Sequence, residues 1–157
     1  VLVQALRADG ASAVGLFGMS LGSLFAGHLL CSDADLDFGV LVAPAGCPDT
    51  ILRTSPILRR LRSNLRRLEI PVDRAAALWS AVRLDRRKPR IPPERILVVG
   101  ARHDQVVPSE EVEKLVARWG DLPLRFLEHG HISVLFEPGL LGLALEHLRS
   151  IGAIPSA

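Results

Sequence analysis

Four short, strongly apolar runs, separated by stretches with helical spacing, constrain this chain more than any other feature. They are "AVGLF" (13–17), "FGVLVAP" (38–44), "RILVVG" (95–100) and "LRFLE" (124–128). A strand that is apolar on both sides must be covered on both faces, which is the situation of parallel strands joined by crossover helices. The segments between the runs supply such helices. Leu21, Leu24, Phe25, His28 and Leu29 recur at helical spacing after the first run. "PSEEVEKLVARWG" predicts a helix with Ser109 as N-cap, acids in its first turn and Gly120 as its stop. "GLLGLALEHLRS" (139–150) predicts a last helix. The expected fold class is therefore α/β, a parallel sheet of about four strands with helices on both faces.

Composition narrows the function classes. Apolar residues make up 48% and charged residues 23% of the 157, which suits one globular domain with a real core. Nineteen basic against 17 acidic residues leave a formal charge of only +2, too balanced for nucleic acid as the main partner. Cys31 and Cys47 lack the spacing of a zinc or redox motif and read as buried thiols in a reducing, cytoplasmic setting. The uncharged run 11–31 has the length of a membrane span. Its four glycines and three serines dilute it, and a buried strand followed by a buried helix explains it better, so no stable span is expected. The chain opens "VLVQALRADG", without methionine, as a helix with Leu2, Ala5, Leu6 and Ala8 on its apolar side and Gly10 as its stop. Residues are expected to precede Val1, so N-terminal targeting signals are not readable here.

Residues 51–90 depart from the alternation and divide the chain into a core, 1–50 and 91–157, and a helical insertion. Leu58, Leu61, Leu65 and Leu68 line one helical face, with Arg53, Arg59, Arg60, Arg62, Arg66 and Arg67 around the rest. A second helix is expected at about 73–84, before the proline-broken "RLDRRKPRIPPE". Such an insertion has the form of a lid. Its arginines are either a solvated face or an attractor of an anionic substrate or partner.

The chemistry starts at "LFGMSLGS" (16–23). Ser20 lies between Gly18 and Gly22, directly after a strand and before a helix, the context that a G-x-S-x-G turn needs to project its hydroxyl. The helix starting there would aim the Leu21 N–H at an oxygen that becomes negative during acyl transfer. A serine needs a base, and the base an orienter. Asp104, in "ARHDQVVP", and His131, in "EHGHISVLF", each follow a strand end, where functional groups gather in parallel sheets. Asp49 in "APAGCPDT" competes with Asp104, and His129 with His131, while His28 and His103 read as structural. A different reading joins His103, Asp104, His129 and His131 as a metal site, but leaves the glycine-flanked serine unexplained.

From Gly10 to Ser150 the chain resembles the C-terminal two-thirds of an α/β-hydrolase-fold serine hydrolase. "GLFGMSLGS" is similar to the nucleophile elbow, "VVGARHDQVVP" to the acid loop, "EHGHISVLF" to the histidine loop and residues 51–90 to the variable cap. The resemblance implies Ser20 as nucleophile, Asp104 as acid and His131 as general base, with no nucleotide, flavin or metal cofactor. It equates the four runs with the family's strands five to eight. The first four strands and the loop that supplies the second oxyanion donor have no counterpart, so the chain reads as a fragment of a larger enzyme. Its first strand would then be an exposed edge open to self-association. The implied activity is hydrolysis of an ester, thioester or amide of a small acyl substrate. The alternative is a non-catalytic α/β-hydrolase-like module serving association.

Overall fold

In a computed structural model, residues 2–32 and 35–155 are described. The elements run α1 (Leu2–Ala8), β1 (Gly15–Met19), α2 (Leu21–Ser32), β2 (Phe38–Val42), α3 (Pro48–Thr54), α4 (Arg59–Arg67), α5 (Val72–Trp79), β3 (Ile96–Ala101), α6 (Ser109–Trp119), β4 (Leu124–Leu127) and α7 (Leu140–Ser150), with short 3-10 turns between them. The four strands form one parallel sheet in the order β1-β2-β3-β4. The predicted α/β architecture is the one observed.

Register explains how the sheet is covered. Val40 lies beside Leu97 and Val42 beside Val99 on one face, while Leu41 lies beside Val98 on the other. Side chains alternate along a strand, so the two rows feed separate cores. Leu41, Ile96 and Val98 pack with Leu24 and Leu30 of α2 and with Val112, Leu115 and Trp119 of α6. Val40, Val42, Leu97 and Val99 pack with Val134 and with Leu140 and Ala144 of α7. Among the described residues no helix is long and apolar enough to cross a membrane; the uncharged run divides into β1 and α2.

Several local expectations are corrected. In α1 the inward residues are Val3 and Arg7, not Leu2, Ala5 and Leu6. Val3 packs against the core, and Arg7 pairs with the Asp37 carboxylate at the start of β2. A long cation with a specific partner outcompetes short apolar side chains for the inward position. In α2 the buried residues are Ser23, Leu24, Ala26, Gly27 and Leu30, so Leu21, Phe25 and Leu29 face outward. The close approach of helix and strand selects small side chains for the contact. Ser109 is the first residue of α6 and makes no side-chain cap; Pro108 holds the cap position. The second helix of the insertion ends at Trp79 and continues as 3-10 turns. Gly120 ends α6 in the left-handed conformation, as expected.

The chain between α5 and β3 packs into the core at Leu84. Its side chain is fully buried, its N–H bonds Gly46 O at 3.0 Å, and its carbonyl accepts the Trp119 indole N–H at 3.0 Å. Beside it Arg83 reaches Asp49 at 2.9 Å, Asp85 at 2.8 Å and Glu111 at 3.4 Å. One guanidinium thereby joins α3, the returning chain and α6.

Candidate active site

Ser20 follows β1 directly and has a φ of 50°, a left-handed conformation that a non-glycine residue adopts only when its surroundings impose it. Three observations account for this. The Ser20 N–H donates to Val42 O at 2.8 Å, fixing the turn to the end of β2. The buried Ser23 hydroxyl lies 2.8 Å from Gly18 O and 2.9 Å from Val42 O, bridging the first turn of α2 to two strand ends. Gly18 lets α2 come close: a Cβ there would meet Gly22 O at 2.7 Å, Ser23 Cα at 2.8 Å and Ala26 Cβ at 2.9 Å. Gly22 has no such role, since a Cβ there meets nothing within 4 Å. The first glycine is a steric requirement and the second is not.

The three strand ends bring Ser20, His131 and Asp104 together. Ser20 Oγ is 2.7 Å from His131 Nε2, and His131 Nδ1 is 2.7 Å from Asp104 Oδ2. The other Asp104 oxygen accepts the N–H groups of Val106 and Val107 at 2.7 and 2.8 Å. Two backbone amides thus orient the carboxylate, while its free oxygen faces the imidazole. Both side chains of the His131–Asp104 pair are buried. With Nδ1–H donating to Asp104, Nε2 is left to accept from the serine. Leu21 is the first residue of α2, and N–H groups of a first helical turn have no intrahelical acceptor.

The competing residues have other partners. Asp49 is bound by Arg83 at 2.9 Å and by Arg53 at 3.3 Å. His129 pairs with Glu137 at 2.7 Å, His103 with Glu128 at 3.0 Å, and His28 lies 3.0 Å from Val82 O. Among the described residues no group of three or more His, Cys, Asp or Glu side chains is placed to hold a metal ion. Glu137 is held below the usual carboxylate range by the Gly139 N–H and then by His129. Together with the His103 N–H donating to His129 O at 2.9 Å, this fastens the loop that carries His131. Ser23 and Glu137 are the supporting residues that the sequence did not reveal. Ser23 stood inside the glycine-serine motif; no spacing marked Glu137.

A cleft of about 220 Å³ opens beside His131, lined by Pro56, Ile57, Val106 and Ile132 and by His103 and Gln105. Its surface is mainly apolar; Ile132 directly follows His131, and Val106 is one of the two residues whose N–H groups bind Asp104.

No family model and no curated protein matches the chain. Solved structures do. An esterase from Pyrococcus furiosus superposes with a TM-score of 0.64 at 19% identity, over 94% of this chain and 59% of that one. A puromycin-hydrolyzing peptidase from Mycobacterium tuberculosis gives 0.64 at 16% identity, over 99% of this chain and 25% of that one. An alpha/beta hydrolase enzyme from lagoon-sediment metagenome gives 0.56 at 18% identity, over 95% and 67%. The chain spans a little over half of the esterase and a quarter of the peptidase. The parallel sheet, its helical cover and these superpositions agree: the chain has the α/β-hydrolase fold.

Proposed function

We propose that the chain is the catalytic part of a serine hydrolase that cleaves an ester, thioester or amide through an acyl-enzyme. The observation carrying this reading is the continuous hydrogen-bonded line from Ser20 through His131 to Asp104, supported by the hydrolase names of the structural neighbours. Ser20 Oγ attacks the carbonyl carbon as its proton passes to His131 Nε2. Asp104 stabilises the resulting imidazolium and fixes its orientation. The carbonyl oxygen, now negative, accepts a hydrogen bond from the Leu21 N–H at the positive end of α2. Collapse of the tetrahedral species expels the alcohol, thiol or amine, which takes the proton from His131. A water then attacks the acyl-serine, His131 accepts its proton and returns it to Ser20 Oγ as the acid leaves. Residues 51–90 act as the cap, and the cleft of Pro56, Ile57, Val106 and Ile132 accepts an apolar part of the substrate.

The test is the intact mass of the full chain after treatment with a fluorophosphonate, beside Ser20→Ala, His131→Ala and Asp104→Asn. One adduct is expected on the parent chain, none on Ser20→Ala, and labelling slowed by orders of magnitude in the other two. A folded parent chain that takes no adduct, or an adduct that survives Ser20→Ala, refutes the assignment. A non-catalytic module would give the first of these results.

A further inference from the structure

Acylation ties the parts of a substrate to different sides of the site. The bond from Ser20 Oγ to the carbonyl carbon forms, the bond from that carbon to the leaving oxygen or nitrogen breaks, and the leaving atom takes the proton that His131 Nε2 received from Ser20. The leaving atom must therefore come within hydrogen-bond reach of His131 Nε2. The carbonyl oxygen is drawn instead to the Leu21 N–H at the start of α2. The acyl chain has neither anchor. A group carried on the leaving atom runs along the imidazole, so the surface beside the imidazole decides which leaving groups fit.

That surface is the cleft of about 220 Å³. Its lining comes from the loop around His131, the loop around Asp104 and the turn after α3 that carries Pro56 and Ile57. Among the described residues, none of the serine turn and none of the loop after β2 contributes to it. The cleft thus belongs to the imidazole side of the site and not to the side of the Leu21 N–H. No Lys, Arg, Asp or Glu lines it among the described residues, and the His103 ring in its lining is paired with Glu128 at 3.0 Å. A phosphate or carboxylate on the leaving group finds no free cation there, whereas an apolar group meets Pro56, Ile57, Val106 and Ile132. The volume equals about seven water molecules' share of the liquid, the size of a ring or a short branched chain. Ile57 is 66% and Ile132 64% exposed, so both have apolar surface left for a bound group to cover.

We propose, on the serine-hydrolase reading of Ser20, His131 and Asp104, that this cleft is the leaving-group subsite. Ile57 and Ile132 select esters and amides of compact, uncharged, apolar alcohols or amines, and the acyl chain lies outside the cleft.

The test uses the full chain and two ester series. Acetates of methanol, butanol and cyclohexylmethanol share one acyl group and form the same acetyl-Ser20, so differences in kcat/KM arise before the alcohol leaves. Methyl acetate, butyrate and octanoate vary the acyl chain alone. From methyl to cyclohexylmethyl acetate kcat/KM is expected to rise about tenfold or more. Ile57→Ala/Ile132→Ala lowers that ratio about tenfold and does not move the ratio of octanoate to acetate. The variant keeps the parent melting temperature because both side chains are exposed. A variant effect confined to the acyl series, or a flat alcohol series in a chain that hydrolyses esters, overturns the proposal. If Ser20 takes the fluorophosphonate but no ester turns over, cyclohexylmethanol is expected to slow that labelling where methanol does not, and the double variant to lose the protection; equal labelling with either alcohol overturns the proposal. A folded chain with no Ser20 adduct refutes the hydrolase reading itself, and the subsite with it.

Discussion

Replacing Gly18 or Gly22 by alanine should have opposite effects, although the two glycines flank Ser20 symmetrically in the sequence. At Gly18 the new methyl group would meet Gly22 O at 2.7 Å, Ser23 Cα at 2.8 Å and Ala26 Cβ at 2.9 Å. Comfortable carbon contacts begin at about 3.5 Å, so α2 would have to move outward by roughly half an ångström or more. Two of the three atoms belong to the backbone and have no rotamer to yield. Such overpacking costs about 1–3 kcal/mol. Loss of the Ser23 hydroxyl bridge to Gly18 O and Val42 O adds about 1 kcal/mol. A total near 3 kcal/mol lowers the melting temperature of a domain this size by about 6–12 °C. At Gly22 the methyl meets nothing within 4 Å, inside a helix. Alanine there gains about 0.5–1 kcal/mol in helix propensity and raises the melting temperature by about 1–4 °C. Thermal melts followed by circular dichroism, with urea unfolding as a second measure, read both changes. Fluorophosphonate labelling of Gly18→Ala should also slow by about tenfold or more, because the displaced turn carries Ser20. A Gly18→Ala protein as stable as the parent, or a Gly22→Ala protein equally damaged, would show that helix–strand contact does not set this turn.

Three further predictions concern groups away from the serine. The Cys47 thiol is pushed up to about 12, chiefly by burial and then by Glu111, while Cys31 is half-buried and raised less, so a thiol reagent on the native protein should modify Cys31 first and reach Cys47 only on unfolding. Arg83→Ala leaves the buried Asp49 with only the exposed Arg53, and should cost about 2–3 kcal/mol by urea unfolding; an unchanged midpoint would show that the Arg83 cluster is dispensable. His147 is buried with an unpartnered Nε2, and burial, then Arg125, lowers its pKa. The folded chain therefore favours the neutral ring: this contribution to stability is complete above the ordinary histidine value of 6.5 and is lost as pH falls below it toward the folded pKa. His147→Leu should melt with a shallower pH dependence between about 6.5 and 5 than the parent, and parallel curves would refute the assignment.

Much of the fold could be read from local pattern. Continuous apolar runs demanded two-sided burial, and the observed strands lie within one or two residues of those runs. The residues that meet at the strand ends were also legible, because in a parallel sheet every strand delivers its following loop to the same edge. Asp104 and Asp49 both follow strands, however, and so do His131 and His129. Spacing along the chain cannot say which carboxylate turns toward which imidazole. Tertiary packing decides it: Arg83, from the chain after α5, claims Asp49, and Glu137 claims His129. The same holds for helix faces. Helical spacing pointed to Leu21, Leu24, Phe25, His28 and Leu29 as the inward side of α2, yet of these Leu24 alone is buried; the contact at Gly18 is made by small residues and turns Leu21, Phe25 and Leu29 outward. Periodicity locates a helix, whereas the distance at which it packs selects its buried face, and that distance exists only once the sheet has formed.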